Sequence, residues 1–239
     1  MGRVIRLLTL GLCLMGTSPA AAELLLGGTA GLVIPGDQDM TFKQYPPGGG
    51  PATSSFEQRD VDESLGPMAG ASVTAWGGSG LLQYLGLQGE ALYWYMQSKG
   101  APAPGAPRVT AEQHRLGFLL NVLARVPVYP SPGRFPSEQG GDAFLYGGAG
   151  AGPAYTRVSG GAKDWNVAYQ LLAGISVGMT PNIRLRVESR YLLAHDADTT
   201  PADGPGLKVD VSGTPTSFRT SRHQDTRFIP ILVGLDWRF

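Results

Sequence analysis

The sequence predicts an all-β fold, an eight-stranded antiparallel up-and-down transmembrane β-barrel, and three observations lead there. Apolar and polar side chains alternate with a period of two over several segments. No segment beyond the N-terminus holds 18 consecutive apolar residues, and the joins between alternating segments are short at one end and long at the other. A period of two sorts side chains onto two faces only in a strand. A chain without apolar helices crosses lipid only as a closed barrel, in which each strand satisfies its neighbours' backbone polar groups. Composition agrees: of 239 residues 35 are glycine and 19 proline, 42% are hydrophobic and 16% charged, which suits many short strands joined by turns better than a disordered chain. Lys+Arg 19 against Asp+Glu 19 leaves no formal net charge, so no nucleic-acid partner is expected.

An export signal precedes the strands. Arg3 and Arg6 stand ahead of an uncharged apolar run from Leu7 to Met15, followed by Thr17, Ser18, Pro19 and the small residues Ala20, Ala21 and Ala22. That is the three-part order of a secretory signal, and the run falls short of the ~20 residues of a spanning helix. Cleavage after Ala22 is expected to leave 23–239 as the barrel domain, 239 − 22 = 217 residues. Without Arg3 and Arg6 its charge is 17 − 19 = −2. Cys13, the only cysteine, leaves with the signal, and its neighbour Leu12 is larger than the residue that normally precedes a lipidated cysteine. The mature chain then has no disulfide and no thiolate chemistry.

The strands follow in order. The first is read over 24–35, around Gly27, Gly28 and Gly31, and the second over 68–77, with Gly70, Ser72, Thr74 and Trp76 in one register. The third, 84–96, opposes Leu85, Leu87, Ala91, Tyr93 and Tyr95 to Gln88 and Glu90. The fourth, 114–126, opposes Phe118, Leu120, Val122 and Val126 to Asn121 and Arg125. The fifth, 144–158, carries a glycine-rich run ahead of Tyr155 and Arg157. The sixth, 165–179, sets Trp165, Val167, Tyr169, Leu171, Ala173, Ile175 and Val177 against Gln170 and Ser176. The seventh, 183–193, is the sharpest, with Ile183, Leu185, Val187, Tyr191 and Leu193 alternating with Arg184, Arg186, Glu188 and Arg190. In the last, Ile229, Ile231, Val233, Leu235, Trp237 and Phe239 share one face. Glycine leaves the register of strands one, two and five open by a few residues.

Short joins at 78–83 and Pro181-Asn182, against long polar ones at 37–66, 100–113 and 198–226, reproduce the asymmetry of bacterial barrels, with short periplasmic turns and long external loops. Two joins depart from it: 127–143 is long where a turn is expected, and 159–164 is short where a loop is expected. Either a strand boundary is misplaced or that turn is decorated.

Alternation does not say which face is wet. A soluble periplasmic lipocalin-like barrel would bury the apolar face around a ligand, and it is the alternative reading. Six large residues on the last strand would overfill an eight-stranded interior, which just holds packed side chains. Gly70, Ser72, Thr74, Gly174, Ser176, Gly178 and Gly234 share the polar register, so the polar face is also the slim one. Trp237 and Phe239 fall near one rim, with Tyr93, Tyr95, Trp165, Tyr169 and Tyr191 toward the other, as interfacial girdles do.

Tyr146-Gly147-Gly148-Ala149-Gly150-Ala151-Gly152, Tyr169-Gln170-Leu171-Leu172-Ala173-Gly174-Ile175-Ser176 with Thr180-Pro181-Asn182, and Glu188-Ser189-Arg190-Tyr191 resemble the small outer-membrane β-barrels of the OmpA-like and opacity-like group. The resemblance covers the mature chain. It implies location in the cell outer membrane of a Gram-negative bacterium, with outer-membrane lipids and lipopolysaccharide as surroundings. Leu235, Trp237 and Phe239 look like the terminal aromatic signature that the outer-membrane assembly machinery recognises in this family. The chain stops at the last strand, without the peptidoglycan-binding domain of longer OmpA-type proteins, so no cell-wall tether is implied.

A set of charges is expected in the lumen: Glu90, Arg125, Arg157, Arg184, Arg186, Glu188, Arg190, Asp236 and Arg238. In related small barrels a strand-three glutamate and arginines of other strands are thought to gate a narrow water path, and Glu90 with Arg190 is the corresponding pair. The plainer reading is a structural plug, since buried charges need partners. A porin-sized channel is not expected from eight strands. Some eight-stranded barrels act on lipopolysaccharide with histidine, serine and a carboxylate, and His114, His195-Asp196, Ser221 and His223 are the residues here that invite the comparison. Ala197 stands where the deacylase pattern has its serine, so no catalytic set is expected. The scattered histidines give no metal spacing, and glycine runs without a following helix cradle no nucleotide, so no cofactor is expected. Loops 37–66, acidic through Asp37, Asp39, Glu57, Asp60, Asp62 and Glu63, and 198–226 remain as places for a host or surface ligand.

Overall fold

A computed structural model of the chain describes residues 22–36, 40–45, 54–58, 62–100, 109–128, 143–158, 163–194, 207–211, 214–221 and 226–239. Residues 1–21 of the expected export signal, which runs to Ala22, together with His195, His223 and most of join 127–143 lie outside them. Eight long strands make the body: β1 (Glu23–Pro35), β2 (Gly66–Trp76), β3 (Leu85–Gly100), β4 (Val109–Pro127), β5 (Ala143–Val158), β6 (Lys163–Gly178), β7 (Ile183–Ala194) and β8 (Thr226–Arg238). Each pairs antiparallel with its sequence neighbours, and β1 pairs with β8 from Leu25↔Arg238 to Pro35↔Phe228, which closes the barrel. Among the described residues no helix is long and apolar enough to cross a membrane.

The side-chain period fixes the two faces. Ile229, Ile231, Val233, Leu235, Trp237 and Phe239 all point outward, as do Leu171, Leu120, Val187 and Leu87, each about half exposed. The soluble alternative is therefore not the arrangement this chain adopts. From Ile229 to Phe239 is ten steps of ~3.3 Å, or roughly 25 Å along the barrel axis at a ~40–45° tilt, the height of an outer-membrane apolar band. Trp237 and Phe239 flank it at the end carrying the short joins, and Tyr93, Trp165, Tyr169 and Tyr191 flank it toward the other.

At the turn end, Met179–Asn182 joins β6 to β7, with the amides of Asn182 and Ile183 donating to Thr180 Oγ1 at 3.3 and 3.0 Å. The β2–β3 join contains a 3-10 turn at Gly80–Tyr84, entered by Gly80 at φ 61°, a conformation glycine adopts without strain. The β4–β5 join is long because the strands do end at Pro127 and resume at Ala143, with the Val128 amide donating to the Ala143 carbonyl at 2.9 Å. The strand boundary stands, and the join is long.

Strands β3 and β4 run further out than the sequence pattern, to a Gly100↔Val109 pair. Their outer ends carry Gln97, Ser98, Lys99, Thr110, Glu112 and Gln113, which do not alternate in polarity, so backbone pairing there leaves no periodic signal. Loops 37–66 and 198–226 also hold strands that polarity concealed. Met40–Tyr45, Ser54–Gln58, Leu207–Val211 and Thr214–Ser221 form one four-stranded antiparallel sheet shared between the two loops.

Two prolines interrupt ladders, since proline has no N–H to donate. The β7–β8 register passes from Ser189↔Ile231 to Leu192↔Phe228 across Pro230, and β4–β5 passes from Gly117↔Ala154 to Leu120↔Ala151 across Pro153.

Candidate functional site

Inward residues fill the lumen in layers. Toward the turn end lie Leu25, Trp76, Leu123, Tyr146 and Leu172. Toward the loop end lies a larger apolar layer that includes Met68, Leu92, Trp94, Met96, Leu192 and Phe228. Trp94 meets Phe228 edge-on with centroids 6.2 Å apart, and both are fully buried. The polar residues between these layers are the candidate site.

Arg190 is its centre. Its Nη1 donates to Glu90 Oε1 and Oε2 at 2.9 and 2.8 Å and to Gln170 Oε1 at 3.0 Å. Its Nε and Nη2 donate to Glu188 Oε1 at 3.1 and 2.5 Å. The side chains of Arg190 and both carboxylates are at most 1% exposed. One guanidinium thus bridges two carboxylates, a match for its fork of donors that an ammonium would not make. Glu188 Oε2 accepts from Tyr146 Oη at 2.7 Å and lies 3.9 Å from Arg186 Nη1, whose Nη2 is 3.3 Å from Asp236 Oδ1. On the far side, Glu90 Oε1 accepts from Asn121 Nδ2 at 2.8 Å and from Gln170 Nε2. Asn121 also donates to Gln88 at 2.9 Å, and Gln88 donates to Thr74 at 3.0 Å. A continuous chain of polar contacts therefore crosses the lumen from β2 to β8.

A second group closes the turn end. Arg125 Nη1 is 2.5 Å from Glu23 Oε2, and Arg238 Nε is 3.7 Å from Glu23 Oε1. The Phe144 ring lies between two guanidiniums, with Arg125 4.8 Å and Arg184 4.9 Å from its centroid. Arg184 also donates to Ser176 Oγ at 3.0 Å. Near the loop end Arg115 covers Phe228 at 5.1 Å and donates to Gln113, which reaches Ser98 and through it Glu63.

The expected lumen residues Glu90, Arg184, Arg186, Glu188, Arg190 and Asp236 all face inward and meet in these contacts, with Arg125 and Arg238 at the mouth. Arg157 does not join them. Tyr146 and Thr156 set the inward parity of β5, which turns Arg157 outward and exposed. The glycines from 147 to 152 carry no side chain to show that parity in sequence. Reasoning from charge missed Glu23 and Arg115, and passed over the uncharged Gln88, Asn121, Gln170 and Tyr146. The amides share Glu90's register face or its neighbours', which is the signal that could have found them. Leu235, Trp237 and Phe239 face outward at the turn end. His114 sits on the outer face of β4, with Nδ1 2.7 Å from Tyr93 Oη.

No family model matches the chain, and no curated protein matches its sequence. Solved structures do match. The outer membrane protein OprG from Pseudomonas aeruginosa shares 14% identity over 92% of this chain and 96% of that one, at a TM-score of 0.52. Neisserial surface protein A shares 13% over 90% and 97%, at 0.44. The attachment invasion locus protein Ail of Yersinia pestis, in complex with the heparin analogue sucrose octasulfate, shares 11% over 91% and 99%, at 0.40. The likeness to OprG shows the fold, a closed eight-stranded barrel of the outer-membrane kind.

Proposed function

We propose that the chain is an integral outer-membrane barrel that acts as a closed scaffold and presents a platform of paired loops at the cell surface. The shared sheet carries this reading. Its order, Leu207–Val211, Thr214–Ser221, Met40–Tyr45, Ser54–Gln58, repeats that of β7, β8, β1 and β2, whose loops supply it. Two hairpins that pair with each other lose less entropy on binding than free loops would. The acidic residues of loop 37–66 suit a cationic surface. The test is adhesion of cells to reconstituted basement-membrane matrix, comparing the full chain with a variant in which 40–58 and 207–221 are replaced by short Gly-Ser linkers. Adhesion conferred by the full chain and lost in the variant is expected. Equal adhesion in cells that display both barrels sinks the proposal.

A narrow, gated conductance is the second reading, and the Glu90–Arg190 contact is what favours it. The apolar layer around Trp94 and Phe228 lies in series with that pair, so opening requires both to move. Planar-bilayer recording tests it: no current steps above background, or steps unchanged in Glu90→Ala, would remove it.

A further inference from the structure

Inside the turn end of the lumen lies a cavity of about 20 Å³, whose charged lining is Arg125, Arg184, Arg186 and Asp236. Three guanidiniums thus face it against one carboxylate. Trp76 and Phe144 also line it, and the Arg125 guanidinium lies 4.3 Å from the Trp76 ring centroid and 4.8 Å from that of Phe144. Parity and register bring the charges together: Arg184 and Arg186 are successive inward residues of β7, and Asp236 of β8 is the ladder partner of Arg184. Gly27 leaves the room they need, since a Cβ there would come 2.8 Å from Ser72 Oγ and 3.2 Å from Arg186 Nη2.

Arg186 is held quite differently from Arg190. Arg190 contacts its two carboxylates at 2.5 to 3.1 Å. Arg186, whose side chain is only 5% exposed, lies 3.3 Å from Asp236, 3.5 Å from Ser72 Oγ and 3.9 Å from Glu188, and among the described residues its buried Nε has no acceptor. Glu188, the carboxylate at 3.9 Å, is held more closely by Arg190 at 2.5 Å. A buried guanidinium is costly where its donors go unmet and its charge is weakly balanced. An anion beside Arg186 relieves both. The cavity's volume, little more than one water takes up, selects a monatomic anion over phosphate or sulfate, and the weakly hydrated guanidinium suits an ion that gives up its own water.

We infer that this cavity is a binding site for a single halide ion such as chloride, with Arg186 as its principal donor and Arg125 and Arg184 adding positive field. The inference goes beyond the scaffold reading and needs only the closed lumen. The ion enters from the turn end, past Arg125 and Arg238, whose side chains are 11% and 25% exposed. The site holds the ion without passing it on, because the Arg190 contacts and the apolar layer around Trp94 and Phe228 lie further toward the loop end.

The experiment uses the full barrel folded in non-ionic detergent micelles and follows the chloride NMR linewidth as sodium chloride is raised, then as sodium bromide or sodium gluconate is added. The wild type is expected to give a saturable excess broadening that bromide clears at similar concentration, while gluconate, too large for the cavity, requires at least about tenfold more. Arg186→Met is expected to bind chloride at least about tenfold more weakly, and Arg227→Gln, outward and exposed on β8, to stay within about twofold. Broadening that never saturates marks loose attraction to surface cations and overturns the site, as does equal displacement by gluconate or an unchanged Arg186→Met barrel. Gel mobility of unboiled and boiled samples reports whether each variant is folded. Should Arg186→Met not fold, Leu25→Phe, which keeps every charge and fills the cavity, takes its place, and an unchanged chloride affinity there overturns the site equally.

Discussion

Replacing Arg190 with methionine is the most informative single perturbation of the lumen. It keeps an unbranched side chain of similar reach and removes the charge that holds Glu90 and Glu188. Breaking a buried ion pair by deleting one partner costs about 3–5 kcal/mol, because the other charge is left buried without compensation. Here two carboxylates lose their bridge, but neither is stripped. Glu188 keeps Tyr146 at 2.7 Å and Arg186 at 3.9 Å, and Glu90 keeps Asn121 at 2.8 Å and Gln170. We therefore expect a loss of about 4 kcal/mol, nearly a thousandfold in the unfolding constant. Glu90→Gln should lose less, about 1.5–3 kcal/mol, since Arg190 keeps Glu188 and Gln170. The triple variant Glu90→Gln, Glu188→Gln, Arg190→Met removes the pairing charges together and should be more stable than Arg190→Met alone. Urea unfolding from lipid vesicles, followed by tryptophan fluorescence and by gel mobility, measures all three. An Arg190→Met barrel within about 1 kcal/mol of wild type, or a triple variant worse than the single one, would refute the claim that the charges are held by mutual compensation.

Four further outcomes follow from the two faces of the wall. Gly150→Ala drives a Cβ into Asn121 Oδ1 and to 2.7 Å from the Leu120 carbonyl, so it should cost about 1–3 kcal/mol. Gly28→Ala points into open space and should be neutral or stabilise by about 0.4–1 kcal/mol, read in the same urea titration. Leu171→Arg, near the middle of the outward face of β6, should destabilise the barrel in vesicles by about 2–4 kcal/mol; a protein indifferent to that change would not have this face in lipid. Trp94→Ala with Phe228→Ala should thin the apolar layer, and with Glu90→Gln it should give current steps in planar bilayers. If Glu90→Gln alone conducts equally well, the aromatic layer is no barrier.

The wall was legible because its signal is redundant. In β6, β7 and β8 each outward residue repeats the message of the one two places away, and short turns such as Thr180-Pro181-Asn182 confirm the phase. Legibility failed where a residue carries no side chain or where both faces are polar. The glycine run of β5 hid its parity and put Arg157 on the wrong side. The outer ends of β3 and β4, and the strands within loops 37–66 and 198–226, pair through backbone groups that any sequence supplies, so polarity gave them no mark. In the lumen, charge located Glu90, Glu188, Arg186 and Arg190 because an ionised group facing lipid near the middle of a barrel wall is costly, which favours the inward face there. The amides Gln88, Asn121 and Gln170 alternate equally well but announce no need for a partner. Which residues meet across the lumen depends on how strands far apart in sequence are brought opposite one another. Glu90 and Arg190, 100 positions apart, illustrate a contact that periodicity along one strand cannot supply.

The charge balance of the lumen bears on where function resides. In the central network Arg186 and Arg190 stand against Glu90, Glu188 and Asp236, with Arg184 beside it toward the turn end. A lumen made to conduct ions would leave groups of one sign facing a water column to replace lost hydration. Here each central carboxylate is engaged by an arginine, and apolar layers lie on both sides of the charges. Such an interior stabilises the closed barrel at the expense of conduction, since drawing Arg190 from its partners exposes two carboxylates while Trp94 and Phe228 still close the path. On the proposed reading, recognition falls to the four-stranded sheet shared by loops 37–66 and 198–226. Measurements of adhesion therefore test this molecule more directly than conductance does.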